Sequence, residues 1–229
     1  MLKIFFKKNS LFCFTPEVML ATFLIEIGLA AYVFIRYRLT DFSWLVLFIL
    51  TLLAGFQFTE YQICANDGGM GWAKAGFVII TLLPVLGLHL ISLITGERKF
   101  LKFGYALVIA YVLIFLFAPK AITGTTCGGN YVVFLTNQEL AWTYSAYYFG
   151  FLFLGIWEAV EKYRKSKEKI LFWLAAGYGS FLLPMVVVYL LSPAARNAIP
   201  SIMCGFALIF ALILALKVVP LYFKANPNR

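Results

Sequence analysis

Seven apolar segments run along the chain, and each is about as long as an α-helix must be to cross the hydrocarbon core of a bilayer. Their approximate ranges are 16–36, 43–64, 73–95, 103–119, 140–161, 170–192 and 200–222. Only 13% of the residues are charged, whereas a soluble domain carries about 25%. A backbone in lipid must satisfy its own hydrogen bonds, so the segments predict helices. The expected fold is an all-α integral membrane protein with a seven-transmembrane helix bundle.

Residues that break helices lie between these segments. Pro16 opens the first span, Pro119 closes the fourth and Pro200 opens the seventh. The stretches ANDGGMG (65–71) and GTTCGGN (124–130) have turn compositions. We therefore expect an N-terminal tail at 1–15, one membrane domain at 16–222, and a C-terminal tail at 223–229, without a separate soluble domain.

The basic residues predict the orientation of the bundle. An odd number of spans divides the loops into two sets, which hold 13 and 6 of the 19 Lys and Arg residues. The richer side is expected to be cytoplasmic, which puts the N-terminus outside and the C-terminus inside a bacterial inner (plasma) membrane. Three lysines of the N-terminal tail oppose this rule: Lys3, Lys7 and Lys8. The net charge of +9 needs no nucleic acid to explain it.

All four cysteines fall on the outer side in this topology. Four cysteines allow three pairings, and an even number in an oxidising compartment is compatible with disulfides. Cys64 with Cys127 is favoured, because both lie in polar, glycine-containing stretches that can bend to the Cα separation of about 5.5 Å that a bridge needs. Cys13 with Cys204 is the second candidate bridge, and four free thiols are the alternative.

A polar stripe marks the outer half of the second span. The stretch GFQFTEYQIC (55–64) places polar residues at helical spacing: Gln57, then Glu60 or Tyr61, and then Cys64. Lipid would not satisfy such a stripe, so it must face other helices or a water-filled pocket. At similar depth the fifth span carries four aromatic residues: Trp142, Tyr144, Tyr147 and Tyr148. The two groups predict an outward-facing ligand pocket; the alternative is an interfacial aromatic belt with Glu60 packed between helices.

Three further ionisable residues lie at membrane depth, where such groups are costly and often functional. They are Glu26, His89 and Glu158. Glu158 is expected to form an i,i+4 ion pair with Lys162, although His89 lies at a similar depth and is an alternative partner. His89 is expected to bond to a neighbouring helix, with Ser92 one turn away as a local partner.

The sequence lacks the residues that several cofactors and catalytic mechanisms require. The last span has no central lysine for retinal, a single histidine cannot hold a haem from both sides, and no phosphate loop, GxSxG or HExxH motif is present. We therefore expect no cofactor, no metal site and no enzyme activity. Pro84 and Pro184 interrupt the third and sixth spans and are candidate hinges, three spans apart as in the repeats of some transporters.

Three stretches resemble the seven-transmembrane sensory region of bacterial histidine kinases and cyclic-dinucleotide synthases. They are 75–100, with Leu-Leu-Pro and Thr-Gly before a basic loop; 147–191, with a long helix, a basic loop and a proline-bearing span; and 200–219. The resemblance covers roughly residues 55–222 and implies an extracytoplasmic N-terminus and a role in sensing. In that family the module passes its signal to an attached kinase, cyclase or PAS domain, so here we expect a stand-alone copy. The family supplies no ligand residues.

The sequence as a whole favours a sensor or receptor-like membrane protein. It would bind a small or lipid-like ligand in its outer half and signal to a separate cytoplasmic partner through its basic loops. A small-solute transporter is the alternative, with Glu60, His89 and Glu26 along its path. A membrane enzyme that acts on lipid is the third possibility, with His89 as acid or base.

Overall fold

A computed structural model of the chain describes residues 15–66, 68–127, 132–191 and 199–227. Helices occupy all seven predicted segments. They are α1 (Pro16–Arg36), α2 (Asp41–Ala65), α3 (Met70–Thr95), α4 (Leu101–Phe117), α5 (Gln138–Ser166), α6 (Lys169–Leu191) and α7 (Ile199–Ile213). A π-helical turn (Leu214–Val218) joins α7 directly to α8 (Val219–Ala225), and these three form one rod.

The length and composition of these helices suit a multi-pass membrane protein. Within the described residues, five helical stretches are long and apolar enough to cross a bilayer: Pro16–Arg36, Asp41–Ala65, Met70–Thr95, Lys169–Val187 and Gly205–Ala225. Helix α4 is apolar but shorter, and α5 is long but more polar. Large apolar side chains cover the outside of the bundle, which is the surface that lipid contacts.

The helices alternate in direction, so the bundle has two distinct ends. We call one the hairpin end; it holds the start of α1, the end of α2 and the β-hairpin described below. The other is the basic end, where α3 gives way to α4 and α5 to α6. At the basic end, Gly96 ends α3 with a φ of 78°, a left-handed conformation that glycine adopts without a Cβ penalty.

Six of the packed elements form a closed ring. Consecutive helices α1, α2 and α3 pack side by side, α3 packs on α5, and α5, α6 and α7 follow. The ring closes because α7 packs on both α1 and α2. Helix α4 stands outside it, mainly against α3. Lys74 of α3 donates to the carbonyl oxygen of Leu116 (2.9 Å) and caps the last turn of α4.

The helical bundle agrees with the expected all-α membrane fold, and a two-stranded β-hairpin that the sequence did not predict caps one end. Strand β1 (Ile122–Cys127) pairs antiparallel with β2 (Val132–Thr136), and the hairpin packs on α2 and α3. Both strands are rich in β-branched residues, which suit a half-buried pleated surface. Phe134 of β2 lies against Phe56 of α2 and Phe77 of α3, with ring centroids 6.1 and 5.3 Å away.

The buried apolar side chains form two clusters. One joins α1, α2, α3, α5, α6 and the α7–α8 rod, where Phe42 stacks on Tyr222. The other joins α2, α3, α4, α5 and the hairpin, and its centre is a group of aromatic rings that includes Phe77 and Phe115. Helix α3 contributes to both clusters, so its position determines how the two halves of the bundle fit together.

Candidate functional site

Two carboxylic acids lie buried between α1 and α2. The buried residues of α1 recur at helical spacing, and Glu26 occupies one of these inward positions. Glu26 is 0% exposed and Glu60 of α2 is 1% exposed. Their carboxyl groups are close enough to interact electrostatically. The same α1–α2 interface includes Phe23 and Phe58, whose ring centroids are 5.2 Å apart.

Gln57 adds an amide to this pair. It lies three residues before Glu60, on the same side of α2, and is 2% exposed. At a rise of 1.5 Å per residue, Glu26 lies about 15 Å from the hairpin end of α1, and Gln57 and Glu60 lie about 12 and 8 Å from that end of α2. We call these three residues the acidic site. Gln57 and Glu60 lie in the hairpin half of the bundle, and Glu26 lies at the midpoint of α1.

The acidic site is not saturated by hydrogen bonds. In the described part of the chain, neither carboxylate oxygen of Glu26 has a hydrogen-bond partner, and the amide nitrogen of Gln57 has none. A charged, unpaired carboxylate inside a membrane is too costly to persist, so a proton or a bound cation must neutralise it. The amide of Gln57 can present either its oxygen or its nitrogen to a ligand. This combination suits a small cation or a proton.

Two of the predicted ligand-binding tyrosines instead contact the proline segment of α3. Tyr147 donates to the backbone carbonyl of Thr81 (2.5 Å), and the hydroxyls of Tyr144 and Thr81 lie 3.1 Å apart. Pro84 has no N–H to donate to the carbonyl of Ile80 one turn earlier, so the helix lacks a backbone bond here. The tyrosines therefore make polar contacts with Thr81, the residue after the carbonyl that Pro84 leaves without its helical donor.

The predicted pocket is thus divided by α3. Glu60 interacts with Glu26, and Gln57 lies one turn before Glu60 on α2. Tyr144 and Tyr147 instead lie against Thr81 of α3. The other three predicted residues are less buried. Trp142 is 68% exposed, Tyr148 is half-buried with its ring centroid 5.9 Å from that of Tyr144, and Tyr61 is half-buried beside Phe58.

The predicted Cys64–Cys127 disulfide is present. The two Cα atoms are 5.5 Å apart, and the bridge joins the end of α2 to the end of β1. Since Cys64 follows Glu60 by four residues, the hairpin is tied covalently to the helix that carries two members of the acidic site. The second candidate, Cys13 with Cys204, lies outside the residues whose side chains the structure describes.

His89 bonds to a neighbouring helix, as predicted. Its Nδ1 lies 2.8 Å from the hydroxyl of Tyr105 on α4. Ser92, the expected local partner, donates to the backbone carbonyl of His89 rather than to its ring (2.7 Å). His89 lies far from the acidic site along α3, in the basic half of the bundle.

The predicted ion pair between Glu158 and Lys162 is wrong. Lys162 donates instead to Glu97, in the loop between α3 and α4, and this contact lowers the pKa of the Glu97 carboxyl. The spacing of residues along α5 could not predict this partner, because Glu97 lies outside that helix. The i,i+4 pair that does form on α5 joins Glu161 to Lys165 (2.5 Å). Glu158 is half-buried nearby and forms an ion pair with neither Lys162 nor Lys165.

The remaining predicted features are the two candidate hinge prolines. Pro84 and Pro184 both lie inside continuous helices, α3 and α6. Across the described ranges, no group of three or more His, Cys, Asp and Glu residues could hold a metal ion. The acidic site has two buried carboxyl groups and a buried amide, with polar atoms that lack hydrogen-bond partners among the described residues. It is the strongest candidate in that part of the chain for binding a small cation or a proton.

Comparison with known proteins gives no family to set beside this geometry. No protein-family model matches the sequence, and no curated protein matches it.

Proposed function

We propose that the chain is a seven-helix sensor of the bacterial inner membrane, with its N-terminus outside and its C-terminus in the cytoplasm. It responds to a small cation or to protons bound at the acidic site, in the outer half of the membrane. It passes the change to a separate cytoplasmic protein through the basic loops.

The observation that carries this proposal is the burial of Glu26 beside Glu60 with both of its carboxylate oxygens unpartnered among the described residues. Evolution rarely retains such a group in a membrane unless it binds something, because its desolvation is costly. Binding or release of one positive charge changes the electrostatic repulsion between the two carboxyl groups. The interface between α1 and α2 is therefore the element that a ligand would shift.

A response at this interface can reach both ends of the protein. Toward the hairpin end, α2 is covalently linked to β1 by Cys64 and Cys127. Toward the basic end, α2 packs on α3, and the loop after α3 is joined to α5 by the ion pair of Glu97 with Lys162. The basic stretch that follows on α5 offers a charged surface to an acidic partner.

A transporter is the second candidate, and the same carboxyl groups favour it. Proton-coupled and ion-coupled transporters use buried acids of this kind, and the prolines of α3 and α6 would let two helices change their bend. The two functions differ in whether the bound ion crosses the membrane.

Thermal unfolding in lipid nanodiscs tests whether the acidic site binds a cation. Tryptophan fluorescence would follow unfolding in separate series of Na⁺, K⁺ and pH, with choline chloride keeping the ionic strength constant. At a ligand concentration 100 times Kd, binding stabilises the folded state by about 2.7 kcal/mol. We expect one of the three series to raise the Tm of the wild type and to leave Glu26→Gln and Glu60→Gln unchanged.

The matched control is Glu139→Gln, which removes an exposed carboxylate from the first turn of α5. It should respond as the wild type does. An equal response in all four proteins would reject the acidic site as the ligand site. Proteoliposomes then separate the two functions: a sensor leaves an imposed Na⁺, K⁺ or pH gradient intact, whereas a transporter dissipates it and Glu26→Gln abolishes the flux.

A further inference from the structure

A groove at the basic end of the bundle carries positive charge that no described carboxylate pairs. The groove has a volume of about 540 Å³ and lies between the end of α3 and the first half of α4. Four polar side chains line it: His89, Arg98, Lys102 and Tyr105. After the turn at Gly96, Arg98 lies just before α4 and Lys102 is the second residue of that helix, so the two cations line the same groove.

The two cations of the groove are available to a ligand. In the described ranges, every ion pair at this end uses other lysines: Lys99 and Lys162 pair with Glu97, and Lys165 pairs with Glu161. Asp41 at the start of α2 interacts with the His89 ring through space, yet it forms no ion pair with Arg98 or Lys102. The groove itself contains no carboxylate.

The rest of the groove is apolar and opens toward lipid. Its other lining residues are Leu101, Ala106 and Ile109, and Ile109 is 60% exposed. Ile109 lies two turns beyond Lys102, so the apolar wall runs about 10 Å along α4 into the membrane. Helix α4 stands outside the ring of helices, which leaves this wall uncovered in the bundle.

We propose that this groove binds an anionic phospholipid from the leaflet at the basic end. Arg98 and Lys102 contact the phosphate, because paired cations beside a membrane surface select anionic headgroups. The Tyr105 hydroxyl lines the groove, 2.8 Å from His89 Nδ1. When that ring nitrogen carries the hydrogen and donates it to the hydroxyl, the hydroxyl can donate its own hydrogen to a phosphate or glycerol oxygen. An acyl chain lies along Ala106 and Ile109. This proposal is independent of the acidic site.

Native mass spectrometry of the protein in detergent micelles tests this proposal with two added lipids, phosphatidylglycerol and phosphatidylcholine. A basic residue near the headgroup is worth about fivefold in affinity for an anionic lipid. We expect the wild type to retain phosphatidylglycerol in preference to phosphatidylcholine. Arg98→Gln and Lys102→Gln should each weaken phosphatidylglycerol binding about fivefold, and the double variant about thirtyfold, with phosphatidylcholine unaffected.

Lys99→Gln is the matched control, because Lys99 lies between the two positions in sequence but does not line the groove. It should retain phosphatidylglycerol as the wild type does. Equal retention of the two lipids by the wild type would overturn the proposal. A loss of phosphatidylglycerol binding in Lys99→Gln equal to that in Arg98→Gln or Lys102→Gln would also overturn it. Displacement of phosphatidylglycerol by excess glycerol phosphate would overturn it too, because a soluble phosphate compound would then be the occupant.

Discussion

Gly87 of α3 is the position where the helix packing makes the sharpest prediction. A Cβ atom added there would lie 1.8 Å from the hydroxyl oxygen of Tyr178 on α6 and 2.9 Å from its Cζ. Tyr178 is 2% exposed and packs on Phe210 of α7, with ring centroids 5.2 Å apart. The tyrosine therefore cannot move away into open space, and Gly87→Ala must separate the two helices or displace the ring.

The magnitude follows from two opposing contributions. The hydroxyl must move by about 1.5 Å to reach van der Waals distance, and overpacking of this kind costs about 1–3 kcal/mol. Alanine recovers about 0.5–1 kcal/mol because glycine is unfavourable inside a helix. We expect Gly87→Ala to lower the free energy of unfolding by about 1–2 kcal/mol.

Tyr178→Phe supplies the second arm of the experiment. It removes the atom that clashes most, so Gly87→Ala in that background should cost less by about 1 kcal/mol or more, a coupling that a double-mutant cycle measures. Gly28→Ala is the control, because no heavy atom lies within 4 Å of a Cβ added there. Unfolding in detergent micelles, followed by tryptophan fluorescence, gives all four values. If Gly87→Ala matched Gly28→Ala, or lost as much stability with Phe at 178, the described packing of α3 on α6 would be wrong.

Three further predictions concern single contacts. Reduction of the Cys64–Cys127 bridge, which closes a loop with a sequence separation of 63, should destabilise the fold by up to about 4 kcal/mol and lower its Tm. Tyr147→Phe removes a buried hydrogen bond to the backbone of α3 and should cost about 0.6–1.5 kcal/mol in the free energy of unfolding. Glu97 has a lowered pKa because Lys162 bonds to its carboxylate. The pair therefore stabilises the fold fully above the ordinary carboxyl pKa, and this stabilisation is lost as the pH falls through the lowered pKa. Glu97→Gln should therefore reduce the loss of Tm on acidification.

Each of these predictions has an internal comparison. For the disulfide, mass spectrometry without reductant should find the two cysteines linked, and free, alkylatable thiols at both positions would contradict the bridge. Trp142→Phe changes an exposed ring on the same helix as Tyr147 and should leave stability unchanged. If Trp142→Phe and Tyr147→Phe lost the same stability, the hydrogen bond from Tyr147 to α3 would have no stabilising role. For the exposed ion pair, high salt should mimic Glu97→Gln in the wild type, and an acid response unchanged by the substitution would exclude the pair as its source.

The positions of the helices could be predicted from the sequence because they depend on local features. Long apolar runs, Pro16 at the start of α1 and the glycine-rich stretch before α3 determine where each helix begins and ends. The Cys64–Cys127 pair was also predictable, since both cysteines belong to polar, glycine-containing stretches of sequence that the helix order brings to the same end of the bundle. The β-branched residues on either side of 128–130 could have predicted a hairpin. The stretch GTTCGGN (124–130) was instead interpreted only as a turn.

The composition of the site could not be predicted in the same way, because it depends on which helices are neighbours. Glu60 and the tyrosines of α5 have similar depths, yet α3 packs on both α2 and α5. Glu26 had no evident partner in the sequence, and its proximity to Glu60 follows only from the packing of α1 on α2. Lys162 likewise bonds to a loop that lies 65 residues away rather than to its own helix.

The proposed role of Glu26 is tested most directly by infrared difference spectroscopy of the protein in lipid, recorded as Na⁺, K⁺ or pH is changed. If the acidic site takes up a cation or a proton, one of these changes should alter a carboxyl or carboxylate band, and that band should be lost in Glu26→Gln and kept in Glu139→Gln. Carboxyl bands that respond identically in the wild type and in Glu26→Gln would contradict the proposed site.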